Sequence, residues 1–338
     1  MDKRPYILIL GSGESAKPLI KPSQQIRKTR YKLVGCLSLN GSRGFELTEG
    51  MPILGRSDTL RDYIFQNPVD VVFVSAPLSA ALSEELLEPA LEIGLTVAIP
   101  KGVAVSLKPT ILKKLFVRCE PLFGINTTLL TTLPQRKGYL IGKRILDCMI
   151  SASALLLLAP LFVLIALAIK LNSPRSPLLY RLHWLGKNGK PFVGYKFRTM
   201  VPDADRLKQQ LLALNEMQGP VFKMRNDPRV TRLGRFLRRF SLDELPQLYS
   251  VLKGDLSLVG PRAPLKEEAE KFEFWQRRKL SVKPGITCLW QINGRNEIRD
   301  FSQWARLDLQ YIHSASIPLD LKIMLKTIPA VLSGRGAS

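Results

Sequence analysis

Paired cysteines are absent from this sequence. Its four cysteines, Cys36, Cys119, Cys148 and Cys288, stand far apart with no C-x-x-C pair. That excludes a disulfide framework and a cysteine-based zinc site, and suits a reducing compartment. Histidine is scarcer still: His183 and His313 are the only two, and no H-x-x-x-H spacing exists. G-x-S-x-G and G-x-x-x-x-G-K-[ST] are also missing, which removes the serine-hydrolase elbow and the Walker loop. There is no internal repeat and no low-complexity tract. No basic–apolar–A-x-A leader opens the chain, so the N-terminus is expected in the cytoplasm. Acidic residues are few, 28 against 50 Lys+Arg, for a net charge of +22. The imbalance is uneven. Residues 1–137 hold 18 Lys+Arg and 12 Asp+Glu, while residues 138–338 hold 32 and 16. The second part is therefore expected to meet an anionic partner: nucleic acid, a membrane surface or a phosphorylated substrate.

What is present suits two domains. A chain of 338 residues with 46% hydrophobic content can bury real cores. The N-terminal part alternates strand and helix patterns. The apolar run Tyr6–Leu10 precedes Gly11-Ser12-Gly13-Glu14-Ser15-Ala16, a strand, a glycine turn and a helix start in the G-x-G-x-x-A pattern. "YKLVGCLSL", "VDVVFVSAP" and "LTVAIP" supply further strands. The pattern predicts an α/β domain with a Rossmann-like parallel sheet over residues 1–130. The acid that would hold a ribose is missing, since the second strand ends Leu37-Ser38-Leu39-Asn40. Nucleotide binding is thus the lesser reading beside a regulatory or dimerising role.

Residues 131–144 read as a linker, and from Cys148 to Ile169 no charged residue occurs for 22 positions. At about 1.5 Å per residue this could cross a hydrocarbon core of about 30 Å. A spanning helix and a re-entrant one are both open, with a buried soluble helix third, since 22 uncharged residues exceed most core helices. Pro160 in the middle predicts a break. Basic residues on both sides, among them Lys143, Arg144, Lys170 and Arg175, favour both ends on one face of a membrane. The expectation is a re-entrant helix over residues 145–171, followed by a mostly helical α+β domain over 172–338.

That domain carries the chemistry. "KPFVGYKFRTM" sets Lys196 and Arg198 in a strand-like alternation. Arg229, Arg232, Arg235 and Arg238 recur every three residues, predicting an amphipathic helix with an arginine stripe on solvent or anionic headgroups. The adjacent acids Asp243 and Glu244 follow directly. They could be only a helix start capped by Ser241 or Asp243. Against this, "GDLSLVGPR" brings Asp255 and Arg262 on turn-rich chain nearby. Carboxylates beside guanidinium groups are the parts of a Mg²⁺–pyrophosphate site, oxygen ligands for the hard cation and forked donors for the phosphates. "VKPGITCLWQINGR" ends in a further arginine, Arg295.

Residues 138–338 resemble the bacterial sugar transferases, the polyprenyl-phosphate glycosyl-1-phosphate transferases of the monotopic phosphoglycosyl transferase superfamily. The resemblance is carried, in order, by "GKRILD", the Pro-broken hydrophobic helix, "YKFRTM", "DPRVTRLGRFLRRFSLDELPQL", "GDLSLVGPR", "KPGITCLWQINGR" and "LDLKIMLKTIPAVLSGRGA". It implies transfer of a sugar-1-phosphate, a hexose one by expectation, from a UDP-sugar to undecaprenyl phosphate with Mg²⁺, at the cytoplasmic face of the inner membrane. By the same resemblance Asp243 is the nucleophile and Glu244 binds Mg²⁺ or assists the lipid phosphate. Arg238 and Arg262, with Lys196 and Arg198, hold phosphates. The expected partners are thus the UDP-sugar, undecaprenyl phosphate and an anionic membrane surface, with a homodimer left open. All four tryptophans, Trp184, Trp275, Trp290 and Trp304, fall in this part, as interfacial anchors or as core. A nucleic-acid binder would suit the charge but not the long uncharged run. A non-catalytic scaffold of polysaccharide assembly would have no use for both acids and Arg262.

Overall fold

A computed structural model describes residues 3–11, 30–39, 52–134, 136–294 and 298–333. The chain divides into two compact units, Met1–Gln135 and Arg136–Ser338.

In the first unit a seven-stranded sheet has the order β3-β2-β1-β4-β5-β7-β6. Strands β1 (Tyr6–Gly11), β2 (Lys32–Ser38), β3 (Ile53–Arg56), β4 (Val71–Val74) and β5 (Thr96–Pro100) are mutually parallel. Ile7, Leu8, Ile9 and Leu10 are fully buried, which is why β1 reads as a continuous apolar run rather than an alternating one. Helices α1 (Leu60–Gln66) and α2 (Ala80–Glu92) connect β3 to β4 and β4 to β5. Ser79 caps α2, its hydroxyl accepting from the Leu82 amide. The sheet is mixed, not parallel throughout as the sequence pattern suggested. Strands β6 (Phe116–Leu122) and β7 (Ile125–Thr131) form a hairpin, and β7 pairs antiparallel with β5. Its two-residue turn, Phe123-Gly124, is left-handed at both positions, and so short a loop can join only antiparallel strands. The strain at Phe123 is offset by edge contacts of its ring with Tyr31 and Phe73. In the glycine motif, Gly11 ends β1; residues 12–16 and Asn40 lie outside the described residues.

The second unit begins with helix α3 (Lys137–Leu157), so residues 137–144, expected as linker, are its first two turns. Helix α4 (Ala159–Asn172) follows after a bend of 59°. The break falls at Leu158, two residues before Pro160. A proline ring clashes with the carbonyl four residues earlier, so the chain leaves the helix ahead of it, and Pro160 then sits in the first turn of α4, where no amide donor is required. No single described helix is long and apolar enough to cross a membrane, but this bent pair passes on length and composition together. Leu156, Leu157, Leu164 and Leu171 face outward.

Both halves of the bent pair are tied to the same unit. Helix α6 (Gln247–Lys253) and strand β10 (Ser257–Val259) receive α3: Arg144 donates to the Val251 and Leu252 carbonyls, and the Asp147 carboxylate accepts from the Ser257 hydroxyl and the Leu258 amide. Ile165 and Ile169 of α4 pack on Phe197 and Leu237. The basic flank is thus partly internal. Lys143 pairs with buried Asp320 at 2.8 Å, Arg144 caps α6, and Lys170 donates to the Pro174 and Ser176 carbonyls.

Strands β8 (Leu179–Leu185) and β9 (Pro191–Phe197) form an antiparallel hairpin, and β10 pairs in parallel with β11 (Gly285–Thr287). Gly260 and Gly285 allow that pairing to continue: a Cβ on Gly285 would stand 2.1 Å from the Gly260 nitrogen. This contact joins "GDLSLVGPR" to "KPGITC". Helices α7 (Phe301–Ser314) and α8 (Ile317–Leu332) close the unit over a core of Trp184, Phe192, Val251, Leu256, Tyr311 and Ile323.

Candidate active site

The arginine-rich segment is shorter as a helix than its period suggested. Helix α5 spans Arg232–Arg239 and is capped by Thr231, whose hydroxyl accepts from the Gly234 amide at 2.9 Å. Arg229 lies ahead of it and is not part of a surface stripe. It is buried and grips Asp227 with two parallel bonds, Nε to Oδ1 at 2.9 Å and Nη2 to Oδ2 at 2.6 Å. Arg232, Arg235 and Arg239 are exposed, whereas Arg238 turns inward.

After α5 the chain reverses at Ser241, a left-handed residue with φ of 51°, and enters a single 3₁₀ turn, Leu242–Glu244. Neither Ser241 nor Asp243 caps a helix with its side chain, which corrects the bland reading of the two acids. The strained residue aims Asp243 into the protein. Asp243 is 7% exposed, while Glu244 beside it is half-buried and pairs with Lys196 of β9 at 2.5 Å. Burial pushes the Asp243 carboxyl above its ordinary range; Lys196 and Arg238 pull against this, and the Glu244 charge adds to it.

A cleft of about 460 Å³ opens over Asp243, and Lys196, Arg198, Arg238, Asp243, Glu244 and Arg262 all line it. The two principal arginines are held differently. Arg238 donates from Nε to Thr199 Oγ1 at 3.0 Å. Arg262 gives both Nη groups to the buried Glu268, at 3.0 and 3.4 Å, and Glu268 also accepts from the Leu265 amide. Arg198 lies 5.9 Å from the Tyr180 ring centroid, and its buried Nε has no hydrogen-bond partner among the described residues. Asp255 does not line the cleft and pairs with Lys253 at 2.9 Å. Arg295 lies outside the described residues.

Sequence reasoning missed several lining residues. Trp290 and Trp304 stack at 4.2 Å and 8°, buried in the cleft wall, with Arg262 6.0 Å from the Trp304 centroid. With Trp184 also buried, three of the four tryptophans are core rather than interfacial anchors. Thr199, Asp227 and Glu268 line the same space. Thr199 and Asp227 stand in "FRTM" and "NDPR", polar residues beside the basic ones already singled out; Glu268 left no such signal.

Residues 138–334 match the bacterial sugar transferase family. The chain belongs to the bacterial sugar transferase family. Over 200 residues it is 48% identical to a galactosyl transferase, CpsE, of Streptococcus agalactiae, a match covering 59% of this chain and 44% of that protein. It is 38% identical over 214 residues to the exopolysaccharide production protein ExoY of Sinorhizobium fredii, covering 61% of this chain and 94% of the relative. An undecaprenyl-phosphate galactose phosphotransferase of Salmonella typhimurium is 40% identical over 199 residues, 58% of this chain and 41% of its own length. The matches thus span less than half of the two larger relatives. The match to the sugar transferase family takes in every residue lining the cleft over Asp243.

Proposed function

We propose that this chain is a phosphotransferase that moves a sugar-1-phosphate, a hexose one, from a UDP-sugar to undecaprenyl phosphate, the initiating step of exopolysaccharide, capsule or O-antigen synthesis. The observation that carries the reading is one cleft in which a buried aspartate on a strained turn meets Lys196, Arg238 and Arg262. An Asp243 oxygen attacks the phosphorus that bears the sugar. The phosphoanhydride bond breaks, UMP leaves with the bonding pair, and an aspartyl phosphosugar remains. An oxygen of undecaprenyl phosphate then attacks the same phosphorus and expels the Asp243 carboxylate, giving undecaprenyl-diphosphate-sugar. A carboxylate approaching an anionic phosphate needs that charge screened, which Lys196, Arg198 and Arg238 supply.

Asp243 and Glu244 are the residues that would hold Mg²⁺. Among the described residues no cluster of three or more His, Cys, Asp or Glu exists. Two carboxylates suffice for a cation that keeps waters and takes substrate phosphate oxygens. When bound, it would neutralise charge on the diphosphate.

The lipid acceptor requires the cleft to lie at a membrane. We read α3 and α4 as a re-entrant hairpin on the cytoplasmic face of the inner membrane. The reading is supported by the docking of α3 on α6 and β10 and of α4 on Phe197 and Leu237, because a span would carry the two halves to opposite faces. The N-terminal unit is read as a Rossmann-like regulatory domain on its strand order β3-β2-β1-β4-β5. The deciding assay combines the purified protein, undecaprenyl phosphate, Mg²⁺ and a panel of UDP-sugars. UMP release is expected with at least one donor and none after EDTA. Without the lipid, release should stop at one equivalent of enzyme; continued turnover without it, or release undiminished by chelation, would refute the corresponding half of the reading.

A further inference from the structure

We propose that Thr199 is the positioning residue of the cleft: it turns the Arg238 guanidinium so that both outer nitrogens remain free to grip a phosphate. What that grip serves rests on the phosphotransferase reading above.

The placement of Thr199 is set from two sides. Its carbonyl accepts from the Thr231 amide at 3.0 Å and from the Thr231 hydroxyl at 3.3 Å, and the next residue, Met200, bridges Val230. Helix α5 then crosses at a distance only glycine permits. A Cβ on Gly234 would stand 2.0 Å from the Thr199 carbonyl oxygen. Arg238 lies four residues after Gly234, on the same helix face. Its Nε therefore passes the Thr199 hydroxyl and donates to it at 3.0 Å.

Which nitrogen is engaged matters. Binding at Nε fixes the guanidinium plane and leaves Nη1 and Nη2 unused; among the described residues they make no hydrogen bond. Arg262 is the opposite case, with both Nη groups taken by Glu268. Two-pronged recognition of a phosphate needs a planar fork held in one orientation. Arg238 has that fork and Arg262 has spent it on a carboxylate. Burial lowers the pKa of Arg238, and the nearby Asp243, Asp227 and Glu244 charges oppose the loss. A guanidinium keeps its proton in proteins, so the fork is a cation beside the carboxylate read as the nucleophile.

The test uses the full chain with Thr199→Val, which keeps the branched shape and removes the acceptor, and Thr199→Ser, which keeps it. Where valine unfolds the protein by thermal melt, Thr199→Ala replaces it. One readout is kcat and KM for UMP release; the other, independent of turnover, is calorimetric affinity for inorganic pyrophosphate. Thr199→Val should weaken pyrophosphate binding and lower kcat/KM by about tenfold each, the worth of one charge-assisted hydrogen bond. Thr199→Ser should match the parent protein. Lysine has no Nε fork, so adding Thr199→Val to Arg238→Lys should change neither readout further. A Thr199→Val protein equal to the parent in both readouts, a Thr199→Ser protein as impaired as the valine, additive effects in the double variant, or no pyrophosphate binding by the parent would each overturn the proposal. The expected pyrophosphate pattern without UMP release from any donor would instead retain Thr199 and refute the reading of the reaction.

Discussion

Lys279 and Asp308 form an ion pair at 2.8 Å with both side chains only 1% exposed. Lys279 also lies 5.8 and 5.2 Å from the ring centroids of Phe272 and Phe301. The pair fastens α7 to the segment Phe274–Ser281, and one turn before Asp308 the same helix places Trp304 in the cleft wall. Replacing Lys279 by Met leaves a buried carboxylate without its paired cation, at a cost of about 3–5 kcal/mol. For a unit of some 200 residues each kcal/mol is worth about 2–4 °C, so the melting temperature should fall by about 6–20 °C. Burial already pushes the Asp308 carboxyl up, and Lys279 opposes that. Without the lysine the carboxyl rises further, and a group with a raised folded-state pKa adds stability at low pH that is lost as pH rises through that pKa. The deficit of the variant should therefore shrink on acidification. Adding Asp308→Asn should recover most of the loss, because the uncompensated charge and not the missing contact carries it. The assay is thermal unfolding of the single and double variants between pH 5 and about pH 8, roughly the range of best stability for most proteins. A loss under about 1 kcal/mol, or a double variant no better than the single, would refute the reasoning.

Asp243→Asn should abolish UMP release with an unchanged melting temperature, since the amide cannot attack phosphorus; near-normal release would end the aspartyl mechanism. Because burial raises the Asp243 carboxyl, the acid limb of kcat/KM should lie above 3.8, and Lys196→Met, which removes the main opposing charge, should move it further to alkaline pH. A limb unmoved by that substitution would separate Lys196 from the acid. Single cysteines placed near Gly138 and near Lys187 should both resist a membrane-impermeant thiol reagent in intact cells and react after lysis; labelling of either from outside would establish a span. Pro160→Leu should shift the pair towards spanning and lower activity, as it restores a continuous helix.

Much of the site was legible because its residues are close in sequence. The arginine run, the Asp243-Glu244 pair and "GDLSLVGPR" fall within 34 positions, 229–262. Polar residues amid apolar chain leave a local signal, and the family resemblance covered the same stretch. Lys196 and Arg198 were readable as an alternation, though their closeness to the acids was not. The Arg229 assignment failed because a three-residue period cannot tell the turn before a helix from the helix itself. The choice between anchor and core for the tryptophans stayed open because burial is not written in residue type: Trp290 and Trp304 meet across sequence as a stacked pair inside the wall.

The sequence by itself determined strands β1, β2, β4 and β5 of the first unit, the proline break in the hydrophobic segment and the residue types of the site. These follow from local constraints: period, turn chemistry, and the missing amide of Pro160. The tertiary structure alone decided which arginine keeps its fork, since Thr199 and Glu268 reach Arg238 and Arg262 by different atoms. It also decided that Lys143, Arg144 and Asp147 are docking groups for α3, and that the sheet closes with an antiparallel hairpin. Partner choice for a long polar side chain depends on what the fold brings within about 3 Å, and composition along the chain carries no record of that distance.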